Sequence, residues 1–392
     1  MVRLGDLFIH IRNGANIKQG LDDSGYPITR IETISNRIVD RNKMGYAGIK
    51  DLSKYQDFVL QDGDILMSHI NSETHLGKTA LYEKVDDEII IHGMNLLLLR
   101  PNKNLITSKY AFYYFSSQAF LKQIPNITKK SVNQASFTVS ALKELSFPEV
   151  SLTEQKIAID NLDKVSMLIK HRKQQLSKLD ELVKARFVEM FGDIKTGEYK
   201  FETKKLGEVS DVGSSHRVFT TEFVEEGVPF YRGTEIGELA NGIKPEKPYR
   251  ITKEHYDRLA SDETKPKIGD LLMPSICNKG QVWMVDTEEP FYYKDGRVLC
   301  ISPNRKLFNC KYLEQFMREK TLVEYPKLGS GSTFAEFKIF LLKDIDVLIP
   351  PVELQNEFAT FVEKIDKSKF DVQQSLEKLE TLKKSLMQQY FG

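Results

Sequence analysis

The chain lacks the signatures that mark most enzymes, metal proteins and membrane proteins. It has three cysteines in 392 residues, Cys277, Cys300 and Cys310. The number is odd and no pair has CxxC spacing, which argues against a disulfide framework or a zinc site and for buried thiols in a reducing interior. No apolar run approaches the roughly 20 residues that cross a bilayer, and the opening MVRLGDLFIHIRNG is too briefly apolar for a signal peptide. A cytoplasmic protein with no membrane contact is expected. Neither sign of charge is in excess: 56 basic and 55 acidic residues leave +1, so any nucleic-acid surface has to be local. No GxGxxG follows a strand, and the Asn-Pro-Pro-aromatic motif of adenine methylation is missing, which argues against methyl transfer in this chain. The seven histidines form no HExxH pair, and His92 and His216 are expected at ordinary surface or strand positions. GKT (77–79) resembles the end of a phosphate-binding loop, but Ser72 stands where that loop needs its first glycine. No catalytic residue, metal or cofactor is expected.

What the chain has is a repeat. KLDELVKARFVEMFG (178–192) returns as KLETLKKSLMQQYFG (378–392), with Leu179 over Leu379, Leu182 over Leu382, Lys184 over Lys384 and Phe191 over Phe391. Apolar residues alternate at steps of three and four along a seam of Leu162, Val165, Ile169, Arg172, Leu176, Leu179, Val183, Arg186 and Met190. The second copy reads Val362, Ile365, Lys369, Val372, Leu376, Leu379, Lys383, Leu386 and Tyr390. Such seams predict helices packed along their length, with cations such as Arg172 and Lys369 fixing register at some cost in stability. About 38 residues at about 1.5 Å rise give a helix of roughly 57 Å that cannot stand alone in water. The simplest partner for each is the other copy.

The segments before the helices repeat as well. Residues 1–147 carry strand-like patches, LFIHI (7–11), YPITRI (26–31), DILMSHI (64–70) and EIIIHGMNLLLL (88–99), between turn sequences NG, DDSG and QDGD, with one helix at about 108–123. In the second half LGD (4–6) returns as LGE (206–208), YPITR (26–30) as VPFYR (228–232), GDILMS (63–68) as GDLLMP (269–274), and ASFTVSALKEL (135–145) as AEFKIFLLKDI (335–345). Between these pieces the sequences differ: NSETHLGKTALYE (71–83) faces CNKGQVWMVD (277–286). One framework with two sets of loops suits two modules that recognise different things. Proline junctions, SFPEVSLTEQ (146–155) and LIPPVELQNE (348–357), end each module and free the helix to start at its own angle. GDIKTGEYKFETKK (192–205) reads as a polar linker after a glycine stop. The expected fold class is α+β: two β-rich mixed domains, 1–147 and 194–349, in pseudo-twofold tandem repeat, with helical spacers at 148–193 and 350–392. The spacers are expected to pair antiparallel and to bring Met1 and Gly392 close together.

In this order and with this twofold recurrence, the LG-[DE] openings, GD-[IL]-L-M pieces and P-x-V-x-L junctions resemble those of the specificity (S) subunits of type I restriction-modification systems, over essentially the whole chain. The resemblance implies a non-catalytic DNA-recognition protein. Its two target-recognition domains would read the halves of a split double-stranded target, its antiparallel coiled coil would space them, and it would bind two methyltransferase (M) subunits and, in the full complex, ATP-dependent restriction (R) subunits. S-adenosylmethionine, ATP and magnesium are expected in those partners. Some members begin with an extra helical segment; this chain starts with its first domain, so Phe391 and Gly392 are expected to close the junction of its ends.

Candidate DNA contacts are residues of the divergent loops that offer guanidinium, amide, hydroxyl or backbone N–H groups, the types that read base edges or hold phosphates. In the first domain these are Arg12, Asn13, Asn16, Lys18, Arg30, Ser68, Asn71, Lys78, Lys129, Lys130, Ser131 and Asn133. In the second they are Ser214, Ser215, His216, Arg217, Arg232, Thr234, Ser275, Asn278, Lys279, Gln281, Ser330, Ser332 and Thr333. KKSVN (129–133) and GSGST (329–333) lead, because both lie just before the matched ASF and AEF pieces. Arg30 and Arg232 coincide, as contacts or as framework, and any single residue also reads as a solvated turn former. Leu168, Leu182 and Leu382 lie beside the seam and are expected to meet methyltransferase helices. The competing reading is a structural adaptor whose two domains bind proteins across a coiled-coil ruler.

Overall fold

A computed structural model describes residues 1–20, 24–34, 37–131, 134–260, 264–329 and 335–392. The chain divides into two compact units, Met1–Gln174 with Gln373–Gly392, and Gln175–Val372.

In the first unit β1 (Phe8–Asn13), β2 (Ile65–Ser68), β3 (Thr79–Leu81) and β4 (Leu96–Pro101) form an antiparallel sheet in the order β1-β4-β2-β3. Successive strand residues point to opposite faces, and both faces are covered. Ile65, Met67, Leu97 and Leu99 join Tyr110, Tyr114, Phe147 and Leu162 on one side. Leu66, Leu96 and Leu98 meet Tyr82 and Ile90 on the other. A sheet buried on both sides explains why ILM and LLLL are unbroken apolar runs.

Three expectations for this unit are corrected. The patch at 88–99 is a strand only from Leu96 onward, with isolated bridges at Ile91 and Gly93 before it. The patch at 26–31 is not a strand: Ile28 makes isolated bridges to Gly45 and Ile91, and Ile31–Ile34 is a 3₁₀ turn. The Arg30 N–H donates to the Thr33 hydroxyl at 2.8 Å, a local bond that takes the place of a ladder bond. The helix at 108–123 is broken into Ser108–Tyr114 and Gln118–Leu121, because the Ser117 hydroxyl caps the second by accepting from the Phe120 N–H at 3.3 Å.

The second unit repeats the sheet. Strands β5 (Ser210–Gly213), β6 (Leu271–Pro274), β7 (Trp283–Met284) and β8 (Val298–Pro303) lie in the order β5-β8-β6-β7. Leu271, Met273, Leu299 and Ile301 face one core and Leu272, Val298 and Cys300 the other. The three thiols are free; Cys277 and Cys300 are buried and Cys310 is half-buried. The expected linker is folded: Gly192–Asp193 pairs with Glu198–Tyr199. Gly192 has φ +101°, and a Cβ there would lie 2.1 Å from the Glu198 carbonyl oxygen, so only glycine fits.

A pair of buried glutamines ties each long helix to its own domain. Gln155 accepts from the Thr107 N–H at 2.9 Å and donates to the Leu105 carbonyl at 2.9 Å; Gln355 accepts from the Asn309 N–H at 2.9 Å and donates to the Leu307 carbonyl at 2.8 Å. The helices themselves, Leu152–Phe191 and Val352–Phe391, have 40 residues each. Every seam position named above is buried or half-buried. Within the first unit Asn161 donates to the Tyr390 hydroxyl at 2.8 Å, Arg172 to Ser375 at 3.2 Å, and Lys173 lies 2.9 Å from Glu380. Within the second, Lys369 lies 2.5 Å from Asp180 and Arg186 2.7 Å from Glu357. As one helix advances its partners in the other recede, so the helices are antiparallel, and the seam cations fix register through polar partners. The helix ends are anchored alike: Phe391 lies 5.1 Å from the Tyr110 ring and Phe191 5.0 Å from Tyr312. Val2 packs on the same core as Phe391, so both chain ends belong to the first unit.

Candidate nucleic-acid interface

Just beyond β2 in the first unit, Ile70–Asn71 pairs with Ala135–Ser136, which pairs in turn with Lys129–Lys130. This small sheet gathers candidates from distant parts of the sequence. The Asn71 amide donates to the Ser68 hydroxyl at 3.4 Å, and Ser68 is buried. Its backbone N–H takes the Lys78 carbonyl at 2.9 Å. Lys129 and Lys130 are exposed, the latter 3.0 Å from Glu73. The Ser131 N–H and hydroxyl both donate to the Gln134 carbonyl at 2.8 Å, closing a turn. Asn133 lies outside the described residues.

A separate group sits at the end of β1. Asn13, Asn16 and Lys18 are exposed. The Arg12 guanidinium lies 5.3 Å from the Phe58 ring, and its Nε is buried with no partner among the described residues. Arg30 donates to the Gln19 side-chain oxygen at 2.8 Å. His92, expected at a surface or strand position, is fully buried outside any strand, with Nε2 3.0 Å from the Leu96 carbonyl. Burial pushes it down to about 3, and the nearby Arg12 charge adds to that. Burial likewise pushes His69, the residue after β2, down to about 4.

In the second unit Arg232, Thr234, Ser275, Lys279 and Gln281 line one hollow of about 1090 Å³, which Lys294, Arg297 and Glu336 also line. Arg232 is held by the buried Glu235, at 2.7 Å and 3.2 Å, and lies 4.5 Å over the Tyr249 ring. Burial pushes Glu235 up, but the Arg232 hydrogen bonds outweigh it and hold the carboxyl below its ordinary value. Arg30 and Arg232 therefore coincide in sequence without sharing a partner type. Asn278 is exposed beside the hollow. Ser214 and Ser215 work within the fold: the Ser214 hydroxyl donates to the Val298 carbonyl at 2.7 Å and accepts from the Gly296 N–H at 2.9 Å, and the Ser215 hydroxyl donates to the Tyr293 carbonyl at 2.5 Å. His216 is exposed, and Arg217 is exposed 3.5 Å from Asp295. Ser330, Ser332 and Thr333 lie outside the described residues.

The two surfaces occupy equivalent places. The Phe137 N–H donates to the carbonyl of His69 at 3.1 Å, and the Phe337 N–H to that of Ser275 at 2.7 Å, each acceptor being the first residue after its strand. Ser68 faces Leu96 and Pro274 faces Val298, which makes Asn95 and Arg297, the residues just before β4 and β8, equivalent. Sequence reasoning missed Arg297; placing VLCI (298–301) over LLLL (96–99) exposes it. Its Nη1 donates to Glu336 at 2.6 Å. The Glu336 carboxyl is held below its ordinary value by a hydrogen bond from Lys338 first, against burial, with Arg297 and Ser275 adding.

On the helices Leu168, Leu182 and Leu382 are 44%, 47% and 46% exposed, and Met167 and Phe370, not anticipated, are 52% and 62% exposed. Among the described residues no helix is long and apolar enough to cross a membrane, and no cluster of acidic, histidine or cysteine residues could hold a metal.

Known proteins share this organisation. The sequence model described as the type I restriction modification DNA specificity domain matches residues 1–180 and 198–384. Over 411 residues the chain is 32% identical to the putative type I restriction enzyme MjaX specificity subunit of Methanocaldococcus jannaschii, covering 98% of this chain and 90% of that protein. The type I restriction-modification S subunit of M. genitalium superposes with a TM-score of 0.56 at 14% identity, over 100% of this chain and 95% of that one. A chain from a structural study of complex assembly and conformational transition in a type I system gives 0.57 at 16% identity, over 100% and 96%. At such identities the structural likeness is one of fold; the sequence matches show more. This chain belongs to the type I restriction-modification DNA specificity family, the non-catalytic specificity subunits of those systems.

Proposed function

We propose that each β-rich domain, 1–147 and 194–349, reads one half of a bipartite duplex target, and that the helical spacers, 148–193 and 350–392, present Leu168, Leu182 and Leu382 to two methyltransferase subunits. Restriction subunits join in the full complex, S-adenosylmethionine, ATP and magnesium serve the partner subunits, and the work is done inside the cell. The observation that carries this reading is the bond repeated in both units, from Phe137 to His69 and from Phe337 to Ser275: one framework carries two chemically different polar surfaces at equivalent places. In the first domain the exposed Lys129 and Lys130 suit phosphates, and Asn71, on the other side of the Ala135–Ser136 strand, carries an amide suited to a base edge. In the second, the hollow gathers guanidinium, amide and hydroxyl groups.

The test is to assemble the chain with the methyltransferase of its own system, map the adenines it methylates, and titrate binding to target and unrelated duplexes with salt. A split consensus and target-selective retention are expected, with affinity falling as salt rises. A complex that binds proteins but neither retains nor methylates DNA selectively would favour the adaptor reading.

A further inference from the structure

The geometry points to Arg297 as a base-reading residue of the second unit, oriented by Glu336 to present two parallel N–H donors to the acceptor edge of a guanine. This rests on the reading of the second domain as a DNA reader. The residue is tethered at both ends. Its carbonyl accepts from the Ser275 N–H at 2.9 Å, and Nη1 is fixed to Glu336 at 2.6 Å. Glu336 is itself engaged by Lys338, so the anchor is not a loose surface carboxylate. Among the described residues the side-chain bond of Arg297 runs through Nη1, which leaves Nε and Nη2 to donate elsewhere, and the side chain as a whole is 57% exposed.

A guanidinium gripped at one nitrogen keeps a rigid two-donor fork on its remaining edge, and less motion is lost when that fork docks. The neighbours favour acceptors too. The Gln281 oxygen already accepts from the Lys279 N–H at 3.1 Å, which leaves its amide NH₂ as a donor, and Lys279 and Lys294 line the same hollow. In the major groove guanine presents two adjacent acceptors, O6 and N7, whereas adenine pairs an acceptor with a donor and cytosine offers a donor. In the first unit the equivalent residue is Asn95, so one framework position carries different chemistry in the two units.

Once the target is mapped, duplexes carrying 7-deazaguanine at each guanine in turn remove N7 without disturbing base pairing. The wild-type complex is expected to lose about tenfold to a hundredfold in affinity at one such position. Arg297→Ala should weaken the intact target by a similar factor and become indifferent to that substitution. Arg297→Lys, which keeps the charge but not the fork, should behave like alanine. Glu336→Gln should weaken target binding while leaving the salt slope unchanged. Selective wild-type binding with Arg297→Ala still sensitive at every deazaguanine overturns the assignment alone. So does a uniform loss on target and unrelated DNA with a shallower salt slope, which makes Arg297 a phosphate contact. A wild-type complex without sequence selectivity overturns the DNA-reading role and this assignment with it.

Discussion

In the first unit Asp64 receives two hydrogen bonds from Arg100 on β4, at 2.8 and 2.7 Å, whereas in the second Asp270 takes its arginine from the loop after β8, Arg305 at 3.0 Å. The glycine before each aspartate has positive φ in both, +89° at Gly63 and +81° at Gly269, and both carboxylates are buried. The duplicated framework thus keeps the buried carboxylate and its compensating guanidinium, and lets the source of that guanidinium drift. Beyond the strand ends the drift is wider. One unit presents two exposed lysines on a small sheet and the other a hollow around a tethered arginine. Selection by such a chain depends on a frame rigid enough to be reused and on surfaces free to differ.

The largest effects should test the sameness of the frames. Phe391→Ala and Phe191→Ala each empty a buried aromatic site at a helix end, and each should cost its own unit about 3–5 kcal/mol in denaturant unfolding followed by hydrogen exchange. Losses of similar size, each confined to one unit, are expected; a large loss for one variant and none for the other breaks the equivalence.

The next effect separates the units. His69 and His92 are buried in the first and pushed down from 6.5 to about 4 and about 3. Below 6.5 the unfolded chain binds protons that the folded first unit does not, so stability present in full above that pH is lost as pH falls towards 4. The loss is on the order of 3 kcal/mol for His69. Hydrogen exchange between pH 7 and 4 should show the first unit loosening before the second, and His69→Asn should flatten the profile. Equal acid sensitivity in both units would remove this distinction.

The smallest effect on folding concerns the surfaces. Lys129→Ala with Lys130→Ala should change stability by no more than about 0.5 kcal/mol. In the assembled complex it should weaken target and unrelated DNA alike and lower the salt slope by roughly 0.9 per lost phosphate contact. An unchanged slope would take the small sheet of the first unit out of the interface.

Much of the frame was legible because its signals are local. The seam of threes and fours revealed the two long helices, and the matched GD-[IL]-L-M pieces fell on the equivalent strands β2 and β6. YPITRI misled because the Thr33 hydroxyl captured a backbone N–H that period-two patterning assigns to a ladder. The surfaces were less legible. The small sheet joins 70–71, 129–130 and 135–136, and no periodicity spans such separations. Ser214 and Ser215 have the chemistry of DNA contacts but are spent on carbonyls of β8 and Tyr293. Arg297 hid at a strand edge, where the strand registers make it the counterpart of Asn95 in the other unit.

The most direct test of two independent readers is a chimera in which residues 206–348 are replaced by the corresponding segment of a related specificity subunit, assembled with the methyltransferase and read by genome-wide mapping of methylated adenines. One half of the split target should be retained and the other exchanged for that of the donor. A target in which both halves change, or an assembled complex that methylates without sequence preference, would contradict the account.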